Sequence, residues 1–287
     1  MSQKEIDEAT GVDTTGHEWD GIKELNNPLP RWWLWTFYIT IIWGIGYTIA
    51  YPAWPLVQGA TTGLLGYSTR AEVQTDIDRY KTQNAALETA LAAVDLETLA
   101  DDAGLNHYAV ASGGAVFRSQ CSQCHGSGAA GAKGYPNLLD DDWLWGGTIE
   151  EIAFTVNHGV RNEVDGDARY SQMPPFGEVL EPAEIDAVAN HVLKISGQEN
   201  DAALAAEGAV VFEEQCAACH GDTGTGDRDL GAPNLTDAIW LYGGDADSIR
   251  TSITTPWNSV MPAWGARLSP SQVNAVAAYV HQLGGGE

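Results

Sequence analysis

The sequence predicts a mainly α protein, with one amino-terminal transmembrane helix followed by two copies of a small, loop-rich helical unit. Three observations carry this prediction. Residues 32–69 contain no Asp, Glu, Lys or Arg, and residues 32–51 are almost continuously apolar. The second half of the chain repeats the first at an offset of about 90 residues, the mark of a duplicated unit. Outside the apolar run, hydrophobic residues recur at helical spacing, and the two copies show no convincing alternation of the kind a half-buried strand requires.

The chain has 287 residues, with 14 Lys plus Arg against 39 Asp plus Glu, a formal charge of −25. Phosphate-tracking proteins need a basic face, so nucleic acid is excluded as a partner. The excess is not one acidic tail: residues 1–31 carry −4, 32–69 zero, 70–106 −5, 107–198 −7 and 199–287 −9. With 44% apolar and 18% charged residues the chain has the composition of a folded protein.

The segments follow in order. Residues 1–31 form an acidic amino-terminal segment, expected on the cytoplasmic side. Residues 32–54 are the expected anchor, since about 20 helical residues rising 1.5 Å each span a hydrocarbon core of about 30 Å. Pro28 and Pro30 precede it, and Pro52 and Pro55 close it. Trp32, Trp33 and Trp35 at one end and Tyr47, Tyr51 and Trp54 at the other suit the headgroup level of a bilayer, making membrane lipid a partner. A buried core helix of this length rarely lacks every charge. A cleaved signal peptide fits poorly, because the preceding residues are acidic, the run is long and no small-x-small site follows. Lys23 and Arg31 against Arg70 give a weak positive-inside bias. Residues 55–106 are expected to be a solvated helical spacer, with Val73, Ile77, Tyr80, Leu87, Leu91 and Val94 near helical spacing.

The duplication then defines units at 107–198 and 199–287, with a boundary near 197–201. Gly113, Phe117, Cys121, Cys124, His125 and Gly126 fall on Gly208, Phe212, Cys216, Cys219, His220 and Gly221. Pro136-Asn137-Leu138 falls on Pro233-Asn234-Leu235, Trp143-Leu-Trp-Gly-Gly147 on Trp240-Leu-Tyr-Gly-Gly244, and Met173-Pro-Pro-Phe-Gly177 on Met261-Pro-Ala-Trp-Gly265. The first copy carries a longer, acid-rich loop at 161–170. Helices are expected over 108–123 and 202–218, from Thr148 with its Thr-x-x-Glu capping box and from near Asp247, and over 182–195 and 270–282 with proline in the first turn. Phe117 and Phe212 are expected to pack on the last helix, with Gly113 and Gly208 allowing close approach.

All four cysteines lie in two identical frames, Cys121-Ser-Gln-Cys124-His125 and Cys216-Ala-Ala-Cys219-His220. On one helical turn two thiols share a side and the next histidine projects alongside, the geometry for covalent haem c attachment with histidine as an axial ligand. The rivals are a four-cysteine zinc site, which leaves both histidines unexplained, a redox-active pair, which wants a βαβ setting, and plain disulfides. Met173 and Met261 are the only methionines after the initiator, and each sits in a Met-Pro turn downstream of its frame. A lone methionine is usually core filler. The matched positions instead point to thioether ligation of iron, which raises the potential and suits electron transfer. Each is expected to serve its own copy. His107, His158, His191 and His281 have no counterpart in the other copy, and His158 is the strongest rival ligand. Two filled axial positions leave no open site for oxygen or peroxide, so the units should relay electrons rather than catalyse. Trp143 and Trp240 are candidate propionate donors.

The repeat resembles tandem class I cytochrome c domains from residue 108 onward. The stretch His17-Glu-Trp-Asp-Gly-Ile-Lys-Glu-Leu-Asn-Asn-Pro-Leu-Pro-Arg-Trp-Trp-Leu-Trp-Thr-Phe-Tyr38, followed by one anchor, resembles the dihaem subunit III family of cbb3-type cytochrome c oxidases. The resemblance implies two covalently bound haem c groups, on Cys121 and Cys124 and on Cys216 and Cys219, with His125, Met173, His220 and Met261 as iron ligands. It implies a donor cytochrome c, and a monohaem cytochrome c subunit and a haem-copper catalytic subunit as partners. Because such thioether bonds are made outside the bacterial cytoplasmic membrane, it further implies a single pass through the inner membrane, a cytoplasmic amino terminus and periplasmic haem domains. The alternatives are a free-standing anchored dihaem shuttle and a dihaem peroxidase.

Overall fold

The computed structural model describes residues 5–287, which form two compact units, 5–83 and 84–287. The first begins with an antiparallel hairpin, β1 (Thr14–Trp19) and β2 (Ile22–Leu25). Its turn places Asp20 and Gly21 at φ 51° and 83°, the left-handed pair that a tight two-residue turn requires. The hairpin falls within the segment read only as an acidic tail, although its Asp-Gly dipeptide is a recognisable turn signal.

The helix α1 (Arg31–Ala50) is 20 residues long, carries no buried residue and is apolar enough to cross a membrane. It stops four residues short of the expected 54, because Pro52 cannot continue the helical ladder. The chain then makes a short hairpin, β3 (Pro55–Leu56) with β4 (Gly59–Ala60), and folds back so that the amides of Leu64 and Leu65 donate to the carbonyls of Ile49 and Ala50. Those carbonyls would otherwise be orphaned at the helix end. Gly63, at φ 69°, permits the approach: a Cβ there would lie 2.6 Å from the Tyr51 carbonyl carbon.

The helix α2 (Thr69–Ala93) carries the chain from one unit into the other. Val73, Ile77 and Tyr80 are exposed. Leu91 departs from that expectation and is wholly buried in the core of the second unit, where the Asn274 amide also donates to its carbonyl at 2.9 Å. A 3-10 segment, Leu96–Asp101, buries Leu99 in the same core.

The second unit contains the repeats. In the first copy α3 (Ala103–Val116), capped by Asp102, passes through a π-helical turn (Phe117–Cys121) into the single turn α4 (Ser122–His125). Then come α5 (Ile149–His158), which has the capping box of Thr148 and Glu151, and α6 (Pro182–Ile195), with proline in its first turn. The second copy repeats this as α7 (Ala202–Gln215), capped by Asp201, α8 (Ala217–His220), α9 (Ala246–Thr254) and α10 (Pro270–His281). The fold is therefore mainly α, as expected.

The packing differs from two self-contained copies. Helix α3 packs on α10, the last helix of the other copy, and α7 packs on α6. One core joins Leu105, just ahead of the first copy, and Ala109, Phe117, Ile152 and Val156 within it to Val273, Val276 and Val280 of the second. The other joins Ile185, Val188 and Val192 of the first to Phe212, Ile249 and Ile253 of the second. The predicted glycine crossings form, each with the last helix of the opposite copy: a Cβ on Gly113 would overlap the Ala275 carbonyl, and one on Gly208 the Ala187 carbonyl. Phe117 meets Tyr279 with ring centroids 5.4 Å apart, and Phe212 meets His191 at 5.0 Å.

The cause is local. Only residues 196–201 separate α6 from α7, and so short a connection makes consecutive helices antiparallel neighbours. Buried Asn190 locks the hairpin by accepting from the Asp201 amide at 2.9 Å. With α6 occupied by α7, α3 takes the equivalent face of α10.

Gly113→Ala or Gly208→Ala should lower the unfolding free energy of the haem-loaded chain by about 1–3 kcal/mol, the usual cost of overpacking. Denaturant titration measures this. Gly128→Ala, where a Cβ meets nothing within 4 Å, should be nearly neutral.

Two candidate haem c sites

Each Cys-x-x-Cys-His frame straddles a helix break. Cys121 closes the π-helical turn with Cys124 and His125 on α4, and Cys216 ends α7 with Cys219 and His220 on α8. Both single turns stop at a glycine of positive φ, Gly126 at 80° and Gly221 at 76°. All four thiols are free. Burial, with the neighbouring cysteine adding to it, pushes the Cys121 and Cys216 thiols up to about 11.

The histidines are oriented alike. His125 Nδ1 lies 3.1 Å from the Pro136 carbonyl oxygen and His220 Nδ1 lies 3.1 Å from that of Pro233. A carbonyl only accepts, so Nδ1 carries the proton and Nε2 presents its lone pair, the tautomer a metal-ligating histidine needs. Burial lowers both pKa values and keeps the rings neutral. The matching Pro-Asn-Leu segments thus turn out to be histidine supports. A matching glycine holds each in place: the Gly131 amide donates to the His125 carbonyl at 2.9 Å and the Gly226 amide to the His220 carbonyl at 2.8 Å. A Cβ on either, at φ 67° or 80°, would come within 2.7 Å of the Asn137 or Asn234 nitrogen. Both glycines stand six residues beyond their histidine, so the spacing is a signal present in the sequence.

Each methionine packs in the core that holds the first cysteine of the other copy's frame. Met261 packs in the core that holds Phe117, Val156 and Cys121, and Met173 in the core that holds Phe212, Ile249 and Cys216. Met261 exchanges backbone hydrogen bonds with Val160, just past α5, at 2.9 and 3.0 Å. The glycines four residues after each methionine seat the turns on the opposite copy. A Cβ on Gly177 would lie 2.6 Å from the Thr254 side chain on α9, and one on Gly265 would press on Asn157 of α5. The reason is that each Met-Pro turn leads directly into α6 or α10, so it follows that helix into the other core.

Two of the rival histidines, His158 and His281, have ring nitrogens engaged elsewhere, whereas the buried Nδ1 of His191 has no hydrogen-bond partner. His158 Nδ1 lies 3.1 Å from Asp165 and its Nε2 2.9 Å from the Asn157 amide nitrogen, so both ring nitrogens are held. His191 lies against Phe212, and His281 Nε2 meets the Glu287 carbonyl at 2.8 Å. Trp143, a candidate propionate donor, gives its indole N–H to the Gly285 carbonyl instead. Its ring, like that of Trp240, lies flat on the second glycine of the following Gly-Gly pair, where a Cβ would collide with it.

The residues present therefore fit haem c twice: each core holds the first cysteine of a frame and one methionine, while the second cysteine of each frame is exposed and the adjoining histidine has its Nδ1 on a proline carbonyl. Asp142 feels the charges of Asp237 of the other copy and Asp140 of its own, and burial first, then these carboxylates, push its pKa from 3.8 to about 6.

Residues 11–58 match the family described as the N-terminal domain of cytochrome oxidase-cbb3, FixP, and residues 109–192 and 203–280 each match cytochrome c oxidase, cbb3-type, subunit III. The chain is similar to the cbb3-type cytochrome c oxidase subunit CcoP of Cereibacter sphaeroides, 60% identical over 96% of this chain and 95% of that one. It is also similar to CcoP of Rhodobacter capsulatus, at 54% over 96% and 97%, and to subunit FixP of Rhizobium etli, at 51% over the whole of both chains.

Asp142 makes stability depend on pH. The folded carboxyl holds its proton to about pH 6 and the unfolded one only to about 3.8, so stability present below pH 3.8 is lost as the pH rises through 6. Asp142→Asn should therefore stabilise the chain at pH 7 by roughly 1–2 kcal/mol, allowing for solvent screening, and have little effect at pH 3.5. Parallel unfolding titrations at the two pH values check the difference.

Proposed function

This chain belongs to the subunit III family of cbb3-type cytochrome c oxidases, and from that membership we propose that it is the oxidase's membrane-anchored electron relay. In this reading it takes electrons from a donor cytochrome c and passes them through two haem c groups to a monohaem cytochrome c subunit and on to the haem-copper subunit that reduces oxygen. The observation that carries it is twofold: each apolar core holds the first cysteine of one frame together with one methionine, and the histidine of that frame has its Nδ1 tied to a proline carbonyl.

The residues divide the work. Cys121 and Cys124 hold one haem and Cys216 and Cys219 the other, by thioether bonds. His125 and Met261 would hold the iron of the first, and His220 and Met173 that of the second. When bound, haem c supplies reversible one-electron transfer. The soft thioether sulfur favours the ferrous state and so raises the potential. Pro136 and Pro233 fix the imidazoles, while Phe117, Phe212 and the valines and isoleucines around them keep water away from the ligands. With a histidine and a methionine offered to each iron, the chain would move electrons and leave oxygen chemistry to its partner.

The anchor and the charge support the topology proposed with it. Helix α1 is long and apolar enough to span the inner membrane of a bacterium once. Thioether formation outside the cytoplasmic membrane requires both frames on the periplasmic side, with residues 1–31 inside. The charges of −7 and −9 on the two haem-bearing copies suit a basic donor, whose encounter they would accelerate.

Mild-detergent purification with haem-specific spectra should give two haems c per chain, co-purification with a haem b subunit and no oxygen reduction by the isolated chain. Extraction of this chain alone would favour the free-standing shuttle, and a resting high-spin haem the peroxidase. Met261→Ala should remove the long-wavelength sulfur-to-iron band of the haem on Cys121 and Cys124, and Met173→Ala that of the haem on Cys216 and Cys219. The opposite assignment would overturn the crossed ligation.

A further inference from the structure

Arg161 stands at the meeting point of the two methionine turns. Its Nε donates to the Ser259 carbonyl at 2.8 Å and its Nη1 to the Ser171 carbonyl at 3.3 Å. Ser171 and Ser259 are equivalent residues of the duplication, each two positions before its methionine, Met173 or Met261. One guanidinium thus joins the same point of both turns. Position 161 aligns with Asn258 at the offset that matches His158 to Thr255, so the second copy has no such side chain.

The backbone is built to deliver it. Arg161 is one of three non-glycine residues with positive φ among those described, at 52°, a conformation a long side chain adopts only where its surroundings hold it. Its amide donates to the Arg169 carbonyl at 2.8 Å, closing the acid-rich loop found only in the first copy, while the preceding residue, Val160, pairs with Met261. Among the described residues it has no carboxylate partner, although the chain carries −25. Tyr242, stacked on Trp257 at 5.8 Å, donates to the Ser259 hydroxyl at 2.8 Å and braces the same turn.

We propose that Arg161 is a shared positioning residue for both haems: by gripping the carbonyls of Ser171 and Ser259 it holds Met173 and Met261 on their irons together. This rests on the crossed ligation above. Arginine suits the task because its planar fork reaches two acceptors at once, which a lysine ammonium on a flexible stem does not. The charge, close to both turns, also opposes oxidation of both irons. Support of this kind behind a ligand typically changes metal affinity 10–100-fold when removed. The extra loop of the first copy thereby gains a role: it carries the one residue that makes the two ligations interdependent.

The test uses the full chain with both haems in detergent, with imidazole as a competing iron ligand. Arg161→Gln should weaken the sulfur-to-iron band of both haems, lower both midpoint potentials and raise imidazole affinity at both by roughly 10-fold. Unchanged affinity, or a change confined to one haem, overturns the shared grip. If R161Q yields no folded dihaem chain, R161K decides: it keeps a cation and loses the fork, so weakened methionine bonding supports the proposal and two unaltered bands overturn it. Met173→Ala and Met261→Ala serve as references. If neither removes a band, the ligand assignment itself is wrong. If each removes one and R161Q alters neither, only the role of Arg161 falls.

Discussion

The short connection between α6 and α7 governs the second unit. Six residues, 196–201, oblige the last helix of the first copy to lie against the first helix of the second. Everything else about the pairing follows. Helix α3 needs an apolar face for Gly113 and Phe117, and the equivalent face remaining is on α10. The Met-Pro turns precede α6 and α10 and must travel with them. Burial of Phe117 and Phe212, both almost inaccessible to solvent, makes either core costly to open, because each large aromatic removes some 150–250 Å² from water.

An exchanged pair has consequences that two beads on a string lack. Neither copy closes its own core, so loosening one haem site disturbs helices belonging to both sequence repeats. The two methionine turns are brought near enough for Arg161 to bridge them, and the Asp237 loop of the second copy approaches Asp142 of the first. The sites are mechanically one unit although the sequence repeats are two. For a relay this favours a fixed geometry between the carriers, since the cores cannot drift apart without unfolding.

Much of this was legible in the chain. The helix from Pro182 to Ile195 was recognisable from its proline and its apolar stripe, and the box of Thr148 and Glu151 from its spacing, because capping depends on residues three apart. The glycine and phenylalanine of each crossing were recognisable, and so were both frames. The hairpin of residues 14–25 escaped because its alternation is short and charged, with only Asp20-Gly21 to mark it. Trp143 was assigned a propionate on its chemistry, and the Gly285 carbonyl more than a hundred residues away claims its N–H instead. Nothing near Trp143 in sequence announces that partner.

The dividing line is physical. Local periodicity, caps, turn residues and motif spacing act within a few residues, so the order of helices, the anchor, the duplication and the chemistry of each frame belong to the sequence alone. Which α10 or α6 face a given α3 or α7 meets does not, because the two copies present nearly the same complementary surfaces and either pairing satisfies the pattern. The choice is made by chain connectivity in three dimensions, through a connector too short to let α6 return to its own copy. With that choice the tertiary structure also decided which methionine reaches which frame, and that a single arginine stands between them.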